Sequence, residues 1–467
     1  MSISTGAQID RLWRFLGLNS HTVPRHLTAV SLFSGGGISD LGYRAAGFEF
    51  LVQSELEKRR AALGQANFPD SIWVCGDIRE KREEVINTAR HALQSRRLDL
   101  LSATPPCQGM SSSNPGRGKR QDDSARRHEV KNRLVLEVAP VAIALEPRII
   151  VIENVPQLRT LQVLDGQNEI GVLTLLRRTL GKQYAFFDDS INVANYGIPQ
   201  QRRRAVIVGI HRQEPWLDAL LNRTELPWPS ATHGPSATSD KATWVTVREW
   251  LETGGYEPLD ASSVERSIGS HRLHFVPSYD AYRYRMLSDI PSLSGQSAYH
   301  TTKCPHCGFD SVPLNQAICN SCGGAMFNKP IVKDENGFRL IKGFQSSYRR
   351  MHPNEPAATI TTASNHIGSD YKIHPWENRL LSLLECADLQ TVPRCYDWSL
   401  ALVPPPHLQL QKKPLISLIR EIVGEAFPSY FTYLHGLYLA KRLEQDVTED
   451  YSNLPSVLHK SLTISLP

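Results

Sequence analysis

The sequence predicts an α/β protein built on a doubly wound, mainly parallel sheet, with a second, irregular domain set into it. Three observations carry this. From Thr28 to about Ile210, short apolar runs alternate with helix-like stretches, as parallel strands with crossover helices require. After about Trp216 the composition changes, and residues 226–300 are rich in Pro, Ser, Thr and Gly with weak periodicity. Two Cys-x-x-Cys pairs then follow, Cys304/Cys307 and Cys319/Cys322. The length of 467 residues also exceeds one ordinary domain.

Residues 1–27 read as an N-terminal helical extension, because Ile9, Leu12, Phe15 and Leu16 recur at helical spacing. The first domain spans 28–225. Its candidate strands are Ala29–Phe33, Phe50–Ser54, Ile72–Val74, Leu98–Ser102, Ile149–Glu153, Ala185–Asn192 and Ala205–Ile210. Leu41–Ala46, Lys81–Ser95 and Val135–Leu145 are candidate crossover helices. Residues 226–375 form the irregular domain. Residues 376–467 return to the first, with helical pattern at Leu380–Leu389, Leu415–Ile422 and Tyr433–Leu443 and a polar, Pro-rich loop at Pro404–Pro414.

Hydrophobic residues make up 41% and charged residues 21% of the chain, ordinary for a globular protein. A net charge of +5 suits a nucleic-acid partner without demanding one. The sequence contains no apolar run of about 18 residues, so no membrane span is expected, and no secretion signal is read at the N-terminus. Four of the eight cysteines lie in the two pairs. That usage points to a reducing compartment with one metal site, not a disulfide framework, and so to the cytoplasm.

Ser31-Leu32-Phe33-Ser34-Gly35-Gly36-Gly37 follows the first strand and opens a helix. Glycines there let a ligand approach the backbone. Glu55 lies 20 residues past Gly35, after the second strand, where an acid can accept hydrogen bonds from a ribose. Asp77 follows the third strand and can read an adenine amino group. A nucleoside pocket accounts for all three better than a tight turn with two surface acids. Asp40 stands where a dinucleotide fingerprint has its third glycine, and an acid near a pyrophosphate would repel it.

The fourth strand runs into Pro105-Pro106-Cys107-Gln108. Two prolines stiffen the loop and hold Cys107 at the carboxyl edge of the sheet, where ligands bind. A cysteine in a polar loop can act as a thiolate nucleophile; the alternative is a buried structural cysteine, which the Pro-Pro turn and the Gly- and Ser-rich sequence after it disfavour. The basic stretch Gly109–Arg133 fits a lid over a phosphate backbone or a solvated loop. Glu153-Asn154-Val155 ends the fifth strand, and Gln200-Gln201-Arg202-Arg203-Arg204 precedes the last. These carry a carboxyl for a ring nitrogen and cations for a base carbonyl or phosphate.

Taken together, these stretches resemble the cytosine-5 DNA methyltransferases over nearly the full length. The resemblance rests on Phe33-Ser34-Gly35-Gly36-Gly37, Glu55, Gly76-Asp77-Ile78, Pro105-Pro106-Cys107-Gln108, Glu153-Asn154-Val155 and Asn195-Tyr196-Gly197-Ile198-Pro199-Gln200-x-Arg202-x-Arg204. It continues in Arg379-x-Leu381-Ser382-x-x-Glu385-x-Ala387-x-Leu389-Gln390 and Gly424-Glu425-Ala426-Phe427-Pro428, all in the family's order. Ile38 stands where the family usually has a further glycine, and Glu425 and Phe427 where it has Asn and Val. The resemblance implies attack of Cys107 on carbon 6 of a flipped cytosine, Glu153 at ring nitrogen 3, and Arg204 at the base carbonyl, with Arg202 and Asn154 in support. It implies S-adenosylmethionine in a pocket of Phe33, Ser34, Gly35, Gly37, Glu55, Leu56, Asp77, Ile78 and Pro106. It also makes residues 226–375 the target recognition domain, double-stranded DNA the substrate, a nucleoid association natural, and a cognate restriction or defence protein the expected partner.

The cysteine pairs are separated by eleven residues, and four thiolates at such spacing close a tetrahedral zinc site. A structural zinc ribbon over 304–322 is expected, stapling a domain with little core of its own; reduced thiols without metal are the alternative. Tyr348-Arg349-Arg350-Met351-His352 reads as a DNA-contacting segment or an ordinary basic loop. Three other functions compete: the same chemistry on transfer RNA, a DNA-binding module without catalysis, and a nicotinamide oxidoreductase. The large irregular domain disfavours the first, intact Cys107, Glu153 and Arg204 the second, and the glycine spacing the third.

Overall fold

The computed structural model describes residues 5–17, 27–106, 130–262, 267–276, 278–343, 346–364, 366–369, 371–403 and 415–444. A seven-stranded sheet is made of β1 (Leu27–Leu32), β2 (Phe48–Glu55), β3 (Ile72–Cys75), β4 (Leu100–Ala103), β5 (Ile149–Asn154), β6 (Tyr184–Asn192) and β7 (Arg203–His211). Their order is β3-β2-β1-β4-β5-β7-β6. The first five are parallel. β7 runs antiparallel to both β5 and β6, a reversal that periodicity does not reveal. The sheet is therefore mainly parallel, as expected, and all seven candidate strands form. The order reverses between β1 and β4, which leaves a crevice at the carboxyl ends of those strands.

Alternate residues of these strands face two separate cores, the period-two rule of a sheet buried on both sides. Val30, Leu32, Val52, Leu101, Ile150, Ile152 and Ile207 pack with helices α4 (Ile78–Leu93), α5 (Val138–Leu145) and α6 (Val172–Leu180). The other face presents Ala29, Phe48, Phe50, Leu100, Ile149, Val151 and Val206. It is covered by elements from both ends of the chain: α1 (Thr5–Leu16), α2 (Ile38–Ala45), α3 (Lys58–Asn67), and the late helices α10 (Leu415–Glu425) and α11 (Ser429–Glu444). The segment Pro404–Pro414 lies outside the described residues.

Close backbone approach explains the docking of α11 on α2. A Cβ on Gly42 would come within 2.1 Å of the Ser429 carbonyl oxygen, and one on Gly436 within 2.7 Å of the Ala46 Cβ. The bare backbones meet, and Ser429 Oγ donates to the Ile38 carbonyl at 2.8 Å while Thr432 Oγ1 donates to that of Ser39 at 2.7 Å.

Between β7 and the late helices, the chain is irregular. It holds α7 (Val247–Thr253), α8 (Ala281–Ser288), short strand pairs and the hairpin Ile331–Asp334/Gly337–Leu340. Trp228, Val245, Trp250, Leu273 and Phe275 belong to the same core as the sheet face. Further on, the apolar clusters are small and separate, around Leu287 and Ile373 and around Cys304, Val312, Cys319 and Met326. Helix α9 (Leu383–Leu389) then begins on a capping box of Ser382 and Glu385. Among the described residues no helix is long and apolar enough to cross a membrane.

Candidate active site

β1 ends in a turn that only small or strained residues can make. Phe33 sits at φ 58°, Gly35 at 57° and Gly37 at 77°, values in the left-handed region. Thr104 Oγ1, one residue past β4, donates to the Phe33 carbonyl at 2.7 Å and fixes the turn. A Cβ on Gly35 would project into open space, with nothing within 4 Å, so a ligand can lie against that backbone. Glu55, at the end of β2, accepts the Gly35 N–H at 2.9 Å and that of Glu57 at 3.0 Å. Burial raises its carboxyl above the ordinary range, against the pull of these donors and of Arg60. Beside it Leu56 is 66% exposed, an apolar surface at the rim. Ser34 and Ile78 are buried, and the Ser34 N–H donates to the Ser54 carbonyl at 2.9 Å.

Asp77 caps α4, accepting the Arg79 N–H at 3.0 Å, and pairs with the Arg79 guanidinium. Those hydrogen bonds hold its carboxyl below the usual range. Asp40, read from sequence as facing a ligand, does not. It is 2% exposed, accepts from the Gln53 amide at 2.8 Å, and burial pushes it up to about 7. Its place is the contact between helix and sheet.

The second half of the site lies where β4, β5 and the start of β7 meet. Asn154 Nδ2 donates to the Pro105 carbonyl at 2.9 Å, and its Oδ1 accepts the Val155 N–H at 2.8 Å. This ties the Pro105-Pro106 step to the end of β5, beside Glu153. Cys107 and the basic stretch to His128 lie outside the described residues. Glu153 is 7% exposed and its Oε1 lies 3.0 Å from Arg204 Nε, at ion-pair distance but without hydrogen-bond alignment. Burial raises its carboxyl, opposed by Arg204 and then Arg202. β7's reversal brings Arg204 here: its first residues, not its last, share this edge with Asn154.

Arg202 is fully buried and its guanidinium donates to the carbonyls of Ile360 at 3.0 Å, Gly424 at 2.9 Å and Glu425 at 3.2 Å. It knits three distant segments together. Gln200 does the same through the carbonyl of Leu389 at 2.9 Å and the N–H of Ile360 at 3.0 Å. Arg350, expected among DNA-contacting residues, is also buried; it donates to the carbonyls of Ile290, His374, Glu377 and Leu287. Sequence reasoning missed Tyr396, whose hydroxyl donates to the Gly36 carbonyl at 2.6 Å, and Arg60, which pairs with Glu425 and Glu421 next to Glu55. Neither stands in a local pattern that signals its partner.

The four paired cysteines converge. All four sulfurs lie within 4.8 Å of one another, with Cys304 Sγ 3.7 Å from Cys322 Sγ and Cys307 Sγ 3.8 Å from Cys319 Sγ. Sulfurs arranged tetrahedrally about 2.3 Å from one ion are about 3.8 Å apart. The N–H groups of His306 and Ser321 point at Cys304 Sγ and Cys319 Sγ, each at 3.4 Å, and Gly308 and Gly323 make the turns at φ 76° and 70°.

A sheet with one reversed strand, carrying a glycine turn and an acid at its carboxyl edge, is the fold of the nucleoside-cofactor methyltransferases. A family model described as C-5 cytosine-specific DNA methylase matches residues 27–403, and the chain belongs to that family. It is thus a DNA (cytosine-5-)-methyltransferase, and S-adenosylmethionine is its methyl donor. Among similar proteins, the Type II methyltransferase M1.HgaI of Avibacterium volantium is 27% identical over 413 residues, covering 86% of this chain and 95% of that one. The Type II methyltransferase M.AgeI of Thalassovita gelatinovora is 29% identical over 424 residues, covering 79% and 92%. A solved structure of the Entamoeba histolytica methyltransferase EhMeth is similar at 13% identity and a TM-score of 0.46, over 91% of this chain and 100% of that one.

Proposed function

We propose that the chain methylates cytosine within one specific sequence of duplex DNA, with Cys107 as nucleophile and Glu153 as the acid. The observation that carries this is the buried Glu153 carboxyl, 3.0 Å from Arg204, on the strand whose next residue, Asn154, holds the Pro105 carbonyl. Cys107 is two residues beyond that carbonyl. Its thiolate forms a bond to carbon 6 of the base, and the displaced electron pair runs to nitrogen 3 and carbon 5. Glu153 in its neutral form donates a proton to nitrogen 3, a role its raised carboxyl supports. S-adenosylmethionine supplies an electrophilic methyl group to carbon 5. Loss of the carbon 5 proton to a base, release of the Cys107 thiolate and return of the nitrogen 3 proton to Glu153 restore the ring. A stacked base cannot present both faces, so the cytosine must be extruded.

Arg204 holds the base carbonyl in this reading, while Arg202 and Asn154 are positioning residues, since the described contacts of both go to the chain itself. Phe33, Ser34, Gly35, Gly37, Glu55, Leu56, Asp77, Ile78 and Pro106 form the cofactor pocket, with Glu55 toward the ribose. Residues 226–375 act as the recognition region. The cysteine cluster holds a structural zinc, which the sulfur spacing supports and which the small apolar cluster around it needs. The Type II names of the relatives support a place beside a cognate restriction nuclease.

Bisulfite sequencing of host DNA carrying this chain, beside a Cys107→Ser variant, tests the reading. Methylation at one recurrent motif, lost in the variant, is expected. Equal methylation by the variant, or trapping on 5-fluorocytosine in transfer RNA and not in duplex DNA, would overturn it.

A further inference from the structure

Helix α1 lies ahead of the segment that matches the family model, which begins at residue 27. Its side chains nevertheless pack into the main core of the fold. Ile9, Leu12, Phe15 and Leu16 are buried in the core that backs the sheet. Besides α11, whose Tyr430 hydroxyl accepts from Gln8 at 3.5 Å, its Gln8 and Trp13 side chains reach three other parts of the chain.

The first is the turn that leads into Gln200–Arg204. Gln8, 2% exposed, donates through Nε2 to the Tyr196 carbonyl at 3.4 Å. A Cβ on Gly197 would meet the Gln8 side chain at 2.5–2.6 Å, so the glutamine is seated on that glycine. The opposite side of the same turn is held from the recognition region. Trp244 Nε1 donates to Asn195 Oδ1 at 3.0 Å, and the Thr232 N–H donates to the Asn195 carbonyl at 2.9 Å.

The second and third contacts meet on Trp13. One face of its indole stacks on Trp250 of α7, with centroids 4.1 Å apart and planes 3° from parallel. The Arg394 guanidinium also lies over the Trp13 ring, at 4.8 Å. Arg394 in turn donates to Asp388 at 2.8 Å and, from its backbone, to the Leu16 carbonyl at 2.8 Å. Trp13 Nε1 donates to Thr253 Oγ1 at 3.3 Å. The stack, with the hydrogen bond and the cation–π contact that Trp13 adds to it, fixes orientation as well as separation.

We infer that α1 is a clasp that sets the recognition region in register with the reaction edge of the sheet, with Trp13 and Gln8 as positioning residues. Trp250 and Trp244 belong to one side of that register, and the Tyr196-Gly197 turn and Arg394 to the other. None of these contacts, among the described residues, joins the clasp to the glycine turn or to Glu153. Its loss loosens the fit to DNA and the discrimination among sites while leaving the cofactor pocket as it is. This inference rests on residues 226–375 being the recognition region.

The experiment uses the full chain and a duplex bearing its methylated motif, beside duplexes with one base of that motif changed. Trp13→Ala and Gln8→Met are compared with Trp13→Phe, which keeps a ring in the stack. The expected result for Trp13→Ala is a rise in KM for the cognate duplex of roughly two- to tenfold, the size of a lost aromatic pair. The preference for cognate over one-base-changed duplexes falls, kcat stays within about twofold, and the dissociation constant for S-adenosylmethionine is unchanged. Trp13→Phe restores most of the loss, and Gln8→Met shows a smaller shift of the same kind. Unchanged KM and site preference in Trp13→Ala would overturn the clasp. So would a fall in cofactor affinity in step with the DNA effect, which marks general loosening. A Cys304→Ser variant separates the underlying reading: if it leaves KM and preference as they were, the recognition region is misassigned and the clasp falls with it. If Cys304→Ser shifts them and Trp13→Ala does not, only the clasp fails.

Discussion

Replacing the Glu153 carboxyl by an amide separates its proton from its shape. Glu153→Gln keeps the volume and a hydrogen-bond donor but cannot deliver a proton to nitrogen 3. Single-turnover methylation is expected to fall by roughly 10²–10⁴-fold, with cofactor binding retained. Stability moves the other way. Burial raises the folded-state carboxyl, so the folded protein keeps this proton at a pH where the unfolded chain has lost it. Stability therefore falls as pH rises from the ordinary carboxyl value toward the raised one. Urea unfolding over that range should show the decline in the parent and a flatter curve in Glu153→Gln; identical slopes would count against a neutral Glu153. Single residues were also where the sequence misled. Asp40 reads as an acid beside a bound ligand, and Arg350 as a cation in a DNA-contacting or ordinary basic loop. One is a buried acid held by Gln53, the other a buried cation serving main-chain carbonyls. Charge alone does not report burial; only the packing of distant segments decides it.

Helix α9 shows the same lesson at the next scale. Its sequence displays the capping box, but not the buried cluster that the cap anchors. Arg379 makes a two-pronged pair with Glu385 at 2.7 and 2.8 Å, and His374 lies 3.7 Å from the same carboxylate. Burial first, then Arg379, pushes His374 down to about 3, and its Nδ1 accepts the Glu377 N–H at 3.0 Å, as a neutral ring can. The Arg379 guanidinium holds Glu385 well below its usual range. In each case the unfolded chain binds protons first, so stability is lost as pH falls: from below about 6.5 for His374, and from below about 4.5 for Glu385. The urea midpoint should drop by on the order of 2 kcal/mol equivalent between about pH 6 and pH 4.5, and His374→Asn should remove most of that slope. The ribbon is a separate element with its own test. The chain should carry one zinc, and a chelator should make the amides around Cys304–Gly324 exchange quickly while those of β1, β4 and β5 stay protected. Intact protection of the ribbon after complete metal removal would argue against a structural ion.

For the molecule as a whole, the sheet was legible because its central strands are buried on both faces and so read as unbroken apolar runs such as Ile149–Ile152. The glycine turn and its acid were legible because they follow strand ends. The reversal of β7 was not, since it is set by pairing with β5 and β6, nor were the knitting role of Arg202 and the partners of α1, which join segments 158 or more positions apart. Arg202→Met tests one of these links. It leaves the carbonyls of Ile360, Gly424 and Glu425 without their donor and should lower stability by about 3 kcal/mol, visible as a lower thermal midpoint; an unchanged midpoint would mean the three segments hold without it. The docking of α11 on α2 carries a further consequence for how the protein is made. One side of the sheet can be sealed once β7 has left the ribosome, because α4, α5 and α6 all precede it. The opposite side must wait for Ser429–Glu444, and at about 5–20 residues per second that is a delay of roughly 10–45 s. During synthesis, then, a half-clad intermediate with the side of α2 around Gly42, Tyr43 and Ala46 bare to the cell is the species a chaperone would meet.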